Sequence, residues 1–121
     1  MGKNVLIVDD TKFMRMLLKN ILKADGHEIV GEAEDGVQAI DKYKKLKPDL
    51  VTMDIVMPNL GGLDALKGIM REDPEARVIM CTALGQESMV KDALSSGAKG
   101  YIVKPFKKPR VLEEVNKVLS A

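Results

Sequence analysis

Tryptophan is absent, and two tyrosines and two phenylalanines make up the whole aromatic content. So few rings leave little to stack on an isoalloxazine, which argues against a flavin module. A single cysteine, Cys81, excludes an internal disulfide and fits a reducing compartment. With one histidine, His27, there is no Cys/His set for zinc. No apolar run reaches the roughly 20 residues that a membrane span needs, and the first residues carry no signal-peptide pattern. A cytoplasmic location is expected. The net charge is only +1, which gives no bulk attraction to nucleic acid or to an acidic membrane. Basic residues do outnumber acidic ones after Thr82, which leaves the earlier part slightly acidic.

What is present is a strict alternation. Short apolar runs predict strands at about 4–8, 28–33, 50–53, 77–82 and 100–103. Longer amphipathic runs predict helices at about 11–24, 36–47, 62–72, 86–96 and 109–119. In the first helix, Met14, Leu17, Leu18, Ile21 and Leu22 share one face, and Asp25-Gly26 ends it. Asp35 with Gln38 resembles a capping box, and Pro48 marks the stop of the second helix. Leu50–Met53 is continuously apolar, as a central parallel strand is. Residues 28–33 mix Ile29 and Val30 with Glu28, Gly31 and Glu32, which suits a sheet edge. The fold class is α/β: a (βα)5 doubly wound parallel five-stranded sheet with helices on both faces and right-handed crossovers. One domain over residues 1–121 is expected, without linker, repeat or output domain.

In such sheets the ligand site lies outside the carboxyl ends of the strands. Asp9 and Asp10 close the first strand, Asp54 the third, Thr82 the fourth and Lys104 the fifth. Carboxylates brought together there repel by roughly 3 kcal/mol per pair at ~5 Å and an effective dielectric near 20. They need raised pKa values or a bound cation. Hard oxygen ligands with room for water suit Mg²⁺. Each residue also has an ordinary reading. One of Asp9, Asp10 or Thr11 suffices to cap the first helix, but a second acid is surplus to capping. Asp54 reads as a turn residue, Thr82 as a cap and Lys104 as solvated. Beside a metal, however, Asp54 can act as a nucleophile toward phosphorus, with Thr82 and Lys104 facing the phosphoryl oxygens. His27 reads as solvated, with no partner acid at useful spacing. Cys81 reads as a buried strand residue, and the eight methionines mostly as core filler, with Met89 a candidate for an exposed face.

The chain resembles the response-regulator receiver domain of two-component signalling over essentially its whole length. Asp9-Asp10 matches that family's metal-binding acids, and Met53-Asp54-Ile55-Val56-Met57-Pro58 matches the segment around its phosphoacceptor, with Gly62 at the loop glycine. Thr82-Ala83 matches the switch hydroxyl and its small neighbour. Lys104-Pro105-Phe106 matches the family lysine and a peptide that is usually cis. Tyr101 falls at the aromatic switch position. Within the family, Phe13-Met14-Arg15-Met16 and the Lys104-Pro105-Phe106 run look most like the stand-alone chemotaxis branch.

The resemblance implies a flavodoxin-like strand order, 2-1-3-4-5. It implies Mg²⁺ held by Asp9, Asp10, Asp54 and the backbone carbonyl of Val56, with phosphoryl transfer from a sensor histidine kinase to Asp54. Thr82 and Lys104 would respond, and Tyr101 would turn inward. The partner face would include Met89, Tyr101, Val103, Phe106, Lys107 and Lys108, and the expected partner is a flagellar motor switch protein. The protein would be a monomeric signalling switch rather than an enzyme acting on other molecules, with a separate phosphatase. Two departures stand out. Val56 and Leu84, two residues after Asp54 and Thr82, are apolar where the family controls water access, and slow self-dephosphorylation is expected. Gly61 stands where an acid or amide is common. A phosphorelay intermediate is the alternative within the family. An aspartate-nucleophile phosphatase fits less well, because its acids are spaced Asp-x-Asp.

Overall fold

The computed structural model describes residues 2–121. Strands β1 (Asn4–Val8), β2 (Glu28–Ala33), β3 (Leu50–Asp54), β4 (Val78–Thr82) and β5 (Gly100–Val103) alternate with helices α1 (Lys12–Ala24), α2 (Gly36–Leu46), α3 (Gly62–Glu72), α4 (Glu87–Ser95) and α5 (Lys108–Ser120). The five strands form one sheet in the order β2-β1-β3-β4-β5, and all four pairings are parallel.

The continuous apolar runs follow from burial on both faces. Side chains alternate across the strand. Leu6, Val8, Val51, Met53, Val78 and Met80 therefore pack on one face, against α2, α3 and α4. Val5, Ile7, Leu50, Ile79, Cys81 and Ile102 pack on the other, against α1 and α5. The strand order reverses between β1 and β3, so their carboxyl ends flank a crevice that no helix crosses. β2 is an edge strand with mostly half-buried residues, as its mixed polarity requires.

Element bounds differ from the sequence pattern by one residue where they differ at all. Asp54 belongs to β3, paired with Cys81, rather than to the following loop. Gln86 precedes α4 instead of opening it. The Asp35 cap holds: its Oδ1 accepts the Gln38 N–H at 2.8 Å. The return bond of Gln38 goes to the Glu34 N–H at 3.0 Å, one residue before the expected partner.

His27 is not solvated. It is buried, and its Nδ1 accepts the Lys3 N–H at 3.1 Å. Its Nε2 lies 3.6 Å from a carboxylate oxygen of Asp25. Pairing of β1 with β2 folds Lys3 over the α1–β2 turn, a contact that linear spacing does not reveal.

Candidate functional site

Asp9 leaves the end of β1 as a buried residue, and Asp10 is exposed beside it. Asp54 is buried at the end of β3. Carboxylate oxygens of Asp9, Asp10 and Asp54 all lie within 4.8 Å of one another. Lys104, after β5, places its Nζ 2.9 Å from Asp9 Oδ2 and 3.3 Å from Asp54 Oδ2. Three strand ends, those of β1, β3 and β5, thus bring four side chains together because parallel strands of one polarity end on one edge.

The charges do not balance. Burial pushes the Asp54 carboxyl up to about 6; the Asp9 charge adds to this, and Lys104 opposes it. Burial also works against the Lys104 ammonium, but its hydrogen bond to Asp9 and the nearby carboxylates outweigh that and raise its pKa. One ammonium against three carboxylates leaves net negative charge in a partly desolvated crevice. The donors are all hard oxygens, and an exposed member, Asp10, keeps the site open to water. That chemistry fits a small divalent cation such as Mg²⁺.

The loop after β3 is tightly built. The Gly62 N–H donates to the Ile55 carbonyl at 2.8 Å. A Cβ on Gly62 would lie 2.1 Å from the Asp54 carbonyl oxygen and 2.8 Å from Ile55 Cα, so glycine is required. Asn59, at φ 65°, donates from Nδ2 to Asp35 Oδ2 at 2.8 Å. This ties the loop to the start of α2. Val56 projects into solvent. The Lys104–Pro105 peptide is cis.

Thr82 lies at the same edge, but its hydroxyl donates to Gln86 Oε1 at 2.9 Å. The same oxygen accepts the Ala83 N–H at 2.8 Å. Gln86 was not singled out from the sequence; the four-residue spacing from a strand-end threonine to a helix start was the available signal. Cys81 is fully buried beside Asp54, and burial raises its thiol far above the usual range, so it is inert.

Residues 5–116 match the response regulator receiver domain. The chain belongs to that family. Among curated relatives of this receiver domain, the chemotaxis protein CheY of Thermotoga maritima is 58% identical over 118 residues, covering 98% of each chain. CheY of Bacillus subtilis is also 58% identical, over 99% of this chain and all of its own. Among solved structures, the crystal structure of a CheX–CheY–BeF3–Mg complex from Borrelia burgdorferi contains a chain with TM-score 0.92 and 47% identity. It covers 95% of this receiver domain and 87% of that chain.

The second group of residues lies on the α4–β5 side of the receiver domain. Tyr101 and Val103 are partly exposed on β5. With Thr82, Leu84, Val90 and Leu94 they line a largely apolar cavity of about 330 Å³. Met89 is exposed on α4 but does not line that cavity. Lys107 and Lys108 are exposed at the start of α5. Phe106 does not belong to the face. It is buried with Val111 and Val115 in the α1–α5 core. Glu114 of α5 is buried, and its Oε2 accepts the Tyr101 N–H at 3.2 Å. It satisfies an edge-strand donor that no neighbouring strand reaches. No helix is long and apolar enough to cross a membrane among the described residues.

Proposed function

We propose that this receiver domain is a phospho-acceptor switch with Asp54 as the acceptor. The observation that carries the reading is the convergence of Asp9, Asp10 and Asp54 within 4.8 Å, with Lys104 bonded to two of them. Asp9, Asp10, Asp54 and the Val56 carbonyl would hold Mg²⁺. When bound, Mg²⁺ neutralises the carboxylates and the incoming phosphoryl oxygens. A Borrelia relative crystallised with BeF3 and Mg supports that choice.

The phosphodonor is a phosphohistidine of a sensor kinase. An Asp54 carboxylate oxygen attacks phosphorus, the N–P bond breaks as the new O–P bond forms, and the imidazole takes up a proton as it leaves. The phosphoryl group brings a charge of about −2. Lys104 is poised to exchange part of its Asp9 pairing for a phosphoryl oxygen. Thr82 leaves Gln86 and donates to another. Its departure opens room for Tyr101 to fill the cavity beneath Leu84 and Leu94. The face of Tyr101, Val103, Met89, Lys107 and Lys108 then changes shape and affinity. Its basic excess suits an acidic segment of a partner. The high identity to CheY proteins along nearly the whole chain supports chemotaxis, with a flagellar motor switch protein as that partner and a separate phosphatase ending the signal.

The test is labelling by a small phosphodonor with Mg²⁺ in wild type and Asp54→Ala. Mg²⁺-dependent labelling of wild type alone supports the reading, whereas equal labelling of the variant defeats it. A phosphorelay intermediate would instead pass the label to a histidine phosphotransfer domain and ignore a motor-derived peptide.

A further inference from the structure

Asp9 is restrained on every polar atom. Its N–H donates to the Ala33 carbonyl at 3.0 Å. Its Oδ1 accepts the Thr11 N–H at 2.9 Å, and its Oδ2 pairs with Lys104. Its carbonyl accepts Arg15 Nη1 at 2.7 Å in a buried bond. Asp10 has the opposite character. It is exposed, and among the described residues its carboxylate makes no hydrogen bond or ion pair. Where that carboxylate points depends on the Asp9–Asp10 peptide plane, and Arg15 holds the oxygen of that plane.

Arg15 itself is costly to bury. It is only 8% exposed, on the first turns of α1. Its Nε donates to Glu32 Oε1 at 2.9 Å, and Glu34 stands 3.8 Å from Nη2. Lys19 takes the other Glu32 oxygen at 2.7 Å. The Lys19 hydrogen bond, and after it the one from Arg15, keeps the Glu32 carboxyl below the usual range despite burial. The guanidinium fork thus spans from β2 to the carboxyl end of β1. A lysine ammonium, as a point charge, does not bridge both in fixed geometry.

We propose that Arg15 is a positioning residue for the metal site: its guanidinium anchors the Asp9–Asp10 peptide to Glu32 and so aims the unpartnered Asp10 carboxylate. The metal half of this inference rests on the function proposed above. Groups that orient ligands change metal affinity by about 10- to 100-fold, and an effect relayed through one peptide belongs at the lower end.

Arg15→Met, Arg15→Lys and a control, Leu17→Ala, separate the alternatives. Three quantities are measured: the backbone order parameter of the Asp10 amide without metal, the Mg²⁺ dissociation constant from amide shifts, and the urea midpoint. In both Arg15 variants the Asp10 order parameter is expected to drop from about 0.85 to below about 0.6. The Mg²⁺ dissociation constant is expected to rise about tenfold. Leu17→Ala should lose stability and keep both site values. An unchanged Asp10 order parameter in Arg15→Lys overturns the proposal, including the case where Arg15→Met does not fold. Tighter Mg²⁺ binding in Arg15→Met with a neutral Arg15→Lys overturns it too, since only the charge would then act. If wild type fails to bind Mg²⁺, the proposed function falls, and the Asp10 order parameter still decides the role of Arg15.

Discussion

The Thr82 hydroxyl donates to Gln86 Oε1 at 2.9 Å, turned toward the start of α4 rather than toward Asp54. A threonine that serves a phosphoryl group must first give up this bond. A net intramolecular hydrogen bond contributes about 0.5–1.5 kcal/mol. Gln86→Ala should therefore shift the population toward the switched state by about 2- to 10-fold. The Tyr101 ring resonances of the unphosphorylated variant should move part of the way to their phosphorylated positions. Resonances that stay at the wild-type shifts would show that Gln86 does not hold the resting state.

Asp54 supplies a pH dependence. Burial and Asp9 raise its carboxyl to about 6 in the folded chain, against ~3.9 unfolded. The folded state therefore binds more protons between these values, and stability falls as pH rises through that window. Solvent at the mouth of the crevice screens the charge, which leaves about 1–2 kcal/mol of strain at neutral pH. In metal-free protein, Asp54→Asn should raise stability by that amount at pH 7.5 and by little below pH 4. Urea unfolding at the two pH values with EDTA measures it. A gain that persists at low pH would point to another cause.

Mg²⁺ should remove the same strain. A cation that binds only the folded state at 100 times its dissociation constant adds about 2.7 kcal/mol. The thermal midpoint should rise with Mg²⁺ in wild type and much less in Asp10→Asn or Asp54→Asn. Equal shifts in all three chains would place the ion elsewhere.

Gly62 admits no side chain. The Cβ of Gly62→Ala would fall 2.1 Å from the Asp54 carbonyl oxygen and 2.8 Å from Ile55 Cα, and both of these atoms are backbone. A loss of about 3 kcal/mol or more is expected, together with weaker Mg²⁺ binding as the end of β3 moves. A urea midpoint close to wild type would mean that the loop relaxes at no cost.

Val56 and Leu84, two residues after Asp54 and Thr82, are exposed at 53% and 86%. Neither can orient a water molecule. In Val56→Asn/Leu84→Glu, loss of the phosphoryl label should accelerate several-fold, with Asp54 still the labelled residue. A decay rate equal to wild type would remove these positions from control of the signal lifetime.

Much of this architecture is legible in the sequence. The β1 run Val5–Val8 and the β3 run Leu50–Met53 carry the period of strands buried on both faces, and α1 carries its apolar stripe. The acids at strand ends followed from parallel topology. Other features were not legible. His27 looked solvated because its partner, the Lys3 backbone, lies across a sheet pairing. Phe106 was assigned to the partner face by resemblance, yet its side chain is buried. Arg15 stood out only as part of the Phe13–Met16 resemblance, with no hint of its contacts, and Glu114 gave no signal, since charged residues on helices are usually solvated.

The sequence by itself determined the alternation of elements, the two-sided core and the residue types at the carboxyl edge. Those properties are local: periodicity, turn chemistry and strand-end position are written in consecutive residues. Only the tertiary structure decided the direction of the Thr82 hydroxyl, the division of Lys104 between Asp9 and Asp54, and the anchoring of the acid pair through Arg15 to β2. These depend on which donor meets which acceptor across strands and helices far apart in the chain. Burial makes each such pairing obligatory, because an unpaired polar group in the interior costs more than its partner contributes.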